Sequence, residues 1–162
     1  MPTVSQLSNA AFCFQLNNRM LKKGFDGLSH EDWLRRPSES SNHLLWIMGH
    51  AIWARGNALR FLGTEWSLPW LPLFARGAKL DDSAEYPTPE QVMLAWQDVS
   101  AHLTAALEQV SEDVLSAPSP EGIPSADGKV SGLMDFFAYH DAYHLGQVAY
   151  LRCWLGHGGI AG

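Results

Sequence analysis

Apolar residues recur along this chain at the three-and-four spacing of helices that bury one face. Over residues 4–23 the stripe is Leu7, Ala10, Ala11, Phe14, Asn18 and Leu21, with Gly24 placed to end it. Pro37-Ser38-Glu39 opens a second helical pattern. It carries NHLLWIMGHAIWARGNALRFLG to about Gly63, with Arg55 and Arg60 towards the end that the helix dipole makes negative. Thr88-Pro89-Glu90-Gln91 reads as a capping box with proline at the first helical position, so a third helix starts there and runs to about Val110. The connection APSPEGIPSADG leads to a fourth pattern. It runs from about Ser131 through LMDFFAYHDAYHLGQVAYLRCWLG, and Gly156 with the glycines after it ends it. The chain has no alternating strand pattern and no fixed repeat. Four helices of ~20 residues predict an all-α fold, an antiparallel four-helix bundle.

Between the second and third helices lies TEWSLPWLPLFARGAKLDDSAEYP, longer than most connections in a compact domain. Its Trp66, Trp70, Phe74 and Tyr86 predict a packed segment, laid over one end or side of the bundle as the roof of a pocket. The 162 residues have the length of one domain, read as 1–162, which is enough to build a core without disulfides. With 46% apolar residues, 17% charged residues and seven Trp, the chain is globular. The net charge of −6 and the scattering of its basic pairs, Lys22-Lys23 and Arg35-Arg36, argue against a nucleic-acid partner, which needs Lys and Arg to neutralise phosphates. The start MPTVSQLSNAAFCFQL has neither a basic n-region nor a long apolar h-region, and no run approaches the ~18 apolar residues of a membrane span. A cytoplasmic protein with no membrane partner is therefore expected. Cys13 and Cys153 belong to no C-x-x-C pattern and read as small buried hydrophobes.

The histidines change the picture. His140 and His144 lie one turn apart inside an otherwise apolar stripe, with Gln147 on the same face. Both imidazoles can reach one ion. On the second helix His43 and His50 are seven apart, within about 20° of each other around the axis, and Asn57 continues that line. His50 sits mid-helix beside Gly49, which would let a neighbouring helix approach closely. It is the better third ligand. His43, in the first turn, is explained by solvent or by a capping interaction. His30, His102 and His157 have no partner at useful spacing and read as surface or loop residues. On residue types alone, a three-histidine metal site and separately satisfied core histidines stand side by side.

HDAYHLGQVAYLRCWLG, together with NHLLWIMGHAIWARG, resembles the DinB-like (DinB/YfiT) family of bacterial four-helix proteins. The phrases LFARG, DDSAEYPTPEQV and GKVSGLMDFFAYH extend the resemblance over about residues 10–156. In that family one histidine of the second helix and an H-x-x-x-H on the last bind a divalent metal, which implies His50, His140 and His144 as ligands here. The resemblance also implies an up-down-down-up bundle, often a homodimer, with a zinc- or nickel-type site. Many relatives carry Glu after the first histidine of the pair; this chain has Asp141.

Three imidazoles leave a coordination position open, unlike a structural zinc site closed by four protein ligands. An ion there could lower the pKa of a bound water or thiol. Some DinB-like proteins are transferases that use bacillithiol, mycothiol or glutathione, and others resemble metal-dependent hydrolases or isomerases. The expected function is therefore a metal-dependent transferase that activates a low-molecular-weight thiol towards a small electrophile, in a stress or detoxification setting. The alternatives are a metal-dependent hydrolase and a non-catalytic metal-binding dimer. The sequence supplies no independent base at recognisable spacing. Asp141 is expected to face a neighbouring helix or to orient a ligand, and Tyr143 to pack in the core. Gln147 and Asn57 could bond a metal-bound water or substrate, or make polar contacts between helices.

Overall fold

The computed structural model describes residues 5–160; Val4, where the first apolar pattern begins, lies outside them. After a 3-10 turn at Ser5–Leu7, α1 spans Ser8–Gly24 and buries Ala10, Ala11, Phe14 and Leu21 of the predicted stripe, with Asn17 buried and the expected Asn18 only half-buried beside it. The second helix, α2 (Leu44–Phe61), starts later than the sequence pattern indicates. Residues 37–41 form bends and turns instead, in which the Ser38 hydroxyl bonds those of Ser40 and Ser41, and 42–43 are irregular. His43 then caps the helix, its Nδ1 accepting the Trp46 N–H at 3.1 Å. The capping role foreseen for His43 is thus the one it has.

α3 (Pro89–Gln109) begins with the predicted capping box: Thr88 Oγ1 accepts the Gln91 N–H while Gln91 Oε1 accepts the Thr88 N–H. A short helix, α4 (Glu112–Ser116), follows at once and is a feature the apolar pattern is too short to announce. α5 (Val130–Trp154) is fixed at both ends. At its start Asp127 accepts from the Lys129 and Gly132 N–H groups and the Ser131 hydroxyl, and these bonds, Ser131's foremost, hold its pKa down to about 2. At its end Gly156 takes a left-handed φ of 89°, which lets the His157 N–H reach the Arg152 carbonyl and the Gly156 N–H that of Cys153. No strand occurs among the described residues, and none of their helices is long and apolar enough to cross a membrane.

α5 packs between α1 and α2, and α3 packs against α2 with a thinner contact to α1, so the four long helices close a ring in the order α1, α5, α2, α3. Along the centre of that ring runs a buried polar network. Arg55 of α2 and Asp141 of α5 are 2% and 3% exposed and pair bidentately: Nη2 to Oδ2 at 2.6 Å and Nε to Oδ1 at 3.1 Å. Arg55 Nη1 also donates to Asn18 Oδ1 of α1 and to Ser100 Oγ of α3, and Asn17 donates to Asp141. The guanidinium lies over the Trp96 ring at 3.7 Å. One side chain thus contacts every other long helix. Placing Arg55 by the helix dipole alone, as its position in the sequence suggested, misses this; its charge is neutralised by Asp141.

Removing one partner of a buried ion pair leaves the other charged and unpaired, a loss of about 3–5 kcal/mol, whereas replacing both with apolar residues avoids that penalty. Arg55→Met should accordingly destabilise the chain by that order in urea unfolding. Arg55→Met combined with Asp141→Leu should cost less than the single change; a double variant as unstable as the sum of both singles would contradict the pairing.

Candidate metal centre

α2 and α5 bring His50, His140 and His144 together. Their available ring nitrogens all lie within 4.8 Å of one another, and the ring centroids are 4.4–5.1 Å apart. His50 and His144 are buried and His140 is half-buried. These are the three residues that the sequence singled out.

Two of the rings are held in a defined tautomer. His50 Nδ1 lies 2.7 Å from the Phe74 carbonyl oxygen, an acceptor only, so Nδ1 carries the proton and Nε2 keeps its lone pair. The same holds for His144, whose Nδ1 donates to Gln147 Oε1 at 2.6 Å. Gln147 therefore orients its own helix's histidine and does not bridge helices. The His50 ring is sandwiched between the indoles of Trp46 and Trp53, each centroid at 5.3 Å, one turn before and one turn after it.

Gly49 makes the Phe74 contact possible: a Cβ there would overlap the Phe74 ring. The close approach foreseen at Gly49 is thus made by the loop's 3-10 turn, Leu71–Phe74, and not by a helix. The long segment is ordered as expected. Phe74 is fully buried against Trp46, Trp70 and Tyr86, and Trp66 donates to Asp98 of α3 at 2.7 Å.

The residues fit a divalent cation. Nitrogens bound at ~2.05 Å to a tetrahedral ion lie ~3.3 Å apart, and His140 Nε2 and His144 Nε2 are separated by 3.2 Å. With His144 Nε2 aprotic, these two nitrogens face each other with at most one proton between them. His140 Nδ1 is meanwhile buried without a hydrogen-bond partner. Burial pushes all three pKa values below the ordinary imidazole value. For His140, burial and repulsion from His144 and His50 bring it to about 3; for His144, Gln147 and Asp141 oppose the burial in part. Neutral imidazole is the form that ligates.

His50 and His140 also form one wall of a cavity of about 550 Å³. Trp53, Ile123, Phe136 and Phe137 give it apolar sides, and Asn57, Arg60 and Arg76 are its other polar residues. Asn57 donates its amide to the Trp53 carbonyl at 3.0 Å, which anchors it to its own helix while it lines the cavity. Asp141 turns away to Arg55. Tyr143 is 56% exposed, touching His144 edge-on, and is not the core residue expected. The remaining histidines stay apart from the site: His102 is exposed beside Asp98, His30 is exposed, and His157 meets Asp32 at 3.1 Å, a partner too distant in sequence to foresee. The cysteines are not the buried residues expected: Cys13 is half-buried on α1 and Cys153 exposed on α5, and neither lines the cavity.

The model of the DinB superfamily matches residues 14–148 of the chain. No curated protein matches it.

The depressed imidazole pKa values make the metal-free chain acid-sensitive. In the unfolded chain these histidines take up protons near pH ~6.5, whereas the folded chain resists them down to about 3 at His140. The unfolded state thus binds more protons in that window, so stability is fully present above the unfolded pKa and falls progressively as the pH drops towards the folded one. Urea midpoints of metal-free protein should fall between pH 7 and pH 4, and the fall should shrink in a His140→Gln variant; identical profiles would contradict a neutral buried His140.

Proposed function

Because the chain belongs to the DinB superfamily, we propose that it is a metal-dependent transferase. In this reading His50, His140 and His144 hold one divalent cation, zinc or nickel, and the adjoining cavity is where a low-molecular-weight thiol meets a small electrophile. The observation that carries it is the meeting of neutral imidazole nitrogens with a cavity of organic-molecule size. When bound, such an ion supplies Lewis acidity that lowers the pKa of a thiol or a water.

The chain's own residues support the assignment in three ways. Phe74 and Gln147 fix which nitrogen of His50 and of His144 faces the centre, as the outer partners of metal-binding histidines do. Trp53, Phe136 and Phe137 offer an apolar surface that excludes water and suits an organic electrophile. Among the described residues the cavity lining contains no Cys, Ser, Lys or carboxylate. The nucleophile must then arrive with the substrates, which favours a diffusible thiol over a protein side chain.

Elemental analysis of untagged protein should give about one divalent ion per chain, lost in His50→Ala and His144→Ala. Glutathione, bacillithiol and mycothiol should then be tested in turn against an aryl chloride electrophile. Consumption of one of them, dependent on the metal and abolished in His144→Ala, is expected. Full metal content with no turnover on any thiol would leave a metal-binding protein without this activity; water consumption in an ester assay would make it a hydrolase.

We infer as well that the chain works as a homodimer joined along α5. Tyr139, Tyr143 and Tyr150 are 67%, 56% and 65% exposed and, with Gly146 between them, follow a four-three-four spacing on one outward face. That is the repeat by which one helix packs along another. Sedimentation velocity should show a dimer that Tyr143→Glu converts to monomer; a wild-type chain that stays monomeric at high concentration would overturn the inference.

A further inference from the structure

The cavity beside the imidazoles has a charge opposite to that of the chain. The protein carries a net −6, yet among the described residues the ionisable groups of this lining, histidines aside, are two arginines, with no Asp or Glu. They come from separate segments. Arg60 stands in the last turn of α2, its guanidinium 5.3 Å from the centre of the Phe61 ring. Arg76 follows the 3-10 turn of the long loop, and its Nη1 donates to the Gly122 carbonyl at 3.3 Å, which ties that loop to the segment carrying Ile123 and Pro124. Neither has a carboxylate partner among the described residues, whereas Arg35, Arg36 and Arg55 each do. Both are exposed, so both stand at the mouth while His50 and His140 stand deeper.

We propose that this cavity takes an amphipathic organic anion: a carboxylate at the mouth, held by Arg60 and Arg76, and an aromatic or aliphatic body against Trp53 and Phe136. The end of the molecule remote from the carboxylate then lies towards His50 and His140. Guanidinium groups suit the task, because they stay charged and offer forked donors to a carboxylate. A volume of about 550 Å³ accommodates a body of one or two rings or a short peptide-like chain. The assignment rests on the proposed function in taking this cavity for the substrate site, but the anion contact itself needs only the arginines.

The test uses 3-phenylpropionate and its uncharged amide, 3-phenylpropionamide, titrated calorimetrically into metal-free and zinc-loaded protein. The metal-free arm removes direct carboxylate–metal binding. There the acid should bind about tenfold more tightly than the amide, the advantage expected of a charge-assisted pair. Arg60→Gln/Arg76→Gln, changes at exposed positions that should leave the melting temperature intact, should abolish that preference. Equal affinity for acid and amide, no saturable binding of the acid, or a preference that survives the double variant would each overturn the proposal. A preference seen only with zinc, and insensitive to the arginines, would also overturn it while supporting the metal centre. Arginine-dependent binding in a chain that takes up no metal would sustain the anion site and remove the metal-dependent reading.

Discussion

The register between α2 and α5 depends on the buried Arg55–Asp141 pair. Arg55 follows His50 by five residues, and Asp141 sits between His140 and His144. A bidentate contact between guanidinium and carboxylate tolerates little rotation or sliding of either helix, so fixing it fixes how far the three imidazoles stand apart. Apolar side chains alone could pack in neighbouring arrangements of similar energy. The ion pair excludes these, because a shifted register would leave a charge uncompensated in the core. Asn18 and Ser100 extend the same constraint to α1 and α3.

That register places polar rings where burial penalises their charge. Each imidazole entering this region must stay neutral, and a neutral ring needs one donor and one acceptor matched. Phe74 and Gln147 satisfy the donors of His50 and His144 and leave both Nε2 lone pairs directed at the shared centre. His140 has no such outer partner, so its ring is the least constrained of the three. The cluster is therefore one rigid pair of donors and a third ring positioned mainly by its helix and by contact with Phe136.

Much of this was legible in the sequence because it depends on local rules. The apolar period located four helices, Thr88 to Gln91 announced a start through side-chain bonds spanning three residues, and the i, i+4 spacing of His140 and His144 put both on one face before any tertiary contact was known. His50 stood out as a polar residue in an apolar run. What was hidden depends on contacts distant in the chain. Arg55 looked like a residue complementing a helix end, although a lone cation within AIWARGNAL is itself a signal that a buried carboxylate must face it. Spacing puts Gln147 on the face of the histidines, but its hydrogen bond follows from rotamer geometry that spacing does not specify. The late start of α2 is hidden because His43 as a cap mimics a helical residue in the pattern. The aromatic loop announces a roofed pocket, but not which residues line it, since the walls come from α2, α5 and two separate loops.

The long loop links the histidine cluster to the cavity. Phe74 orients His50 through its carbonyl, and Arg76, two residues on, lines the cavity. Its fit depends on Gly49, where the absence of a side chain lets the Phe74 ring seat against α2 and brings the carbonyl within reach. Between Phe74 and Arg76 only Ala75 intervenes, in extended conformation. The mouth of the cavity and the hydrogen-bond partner of His50 thus come from one short stretch of the loop, seated by the burial of one phenyl ring.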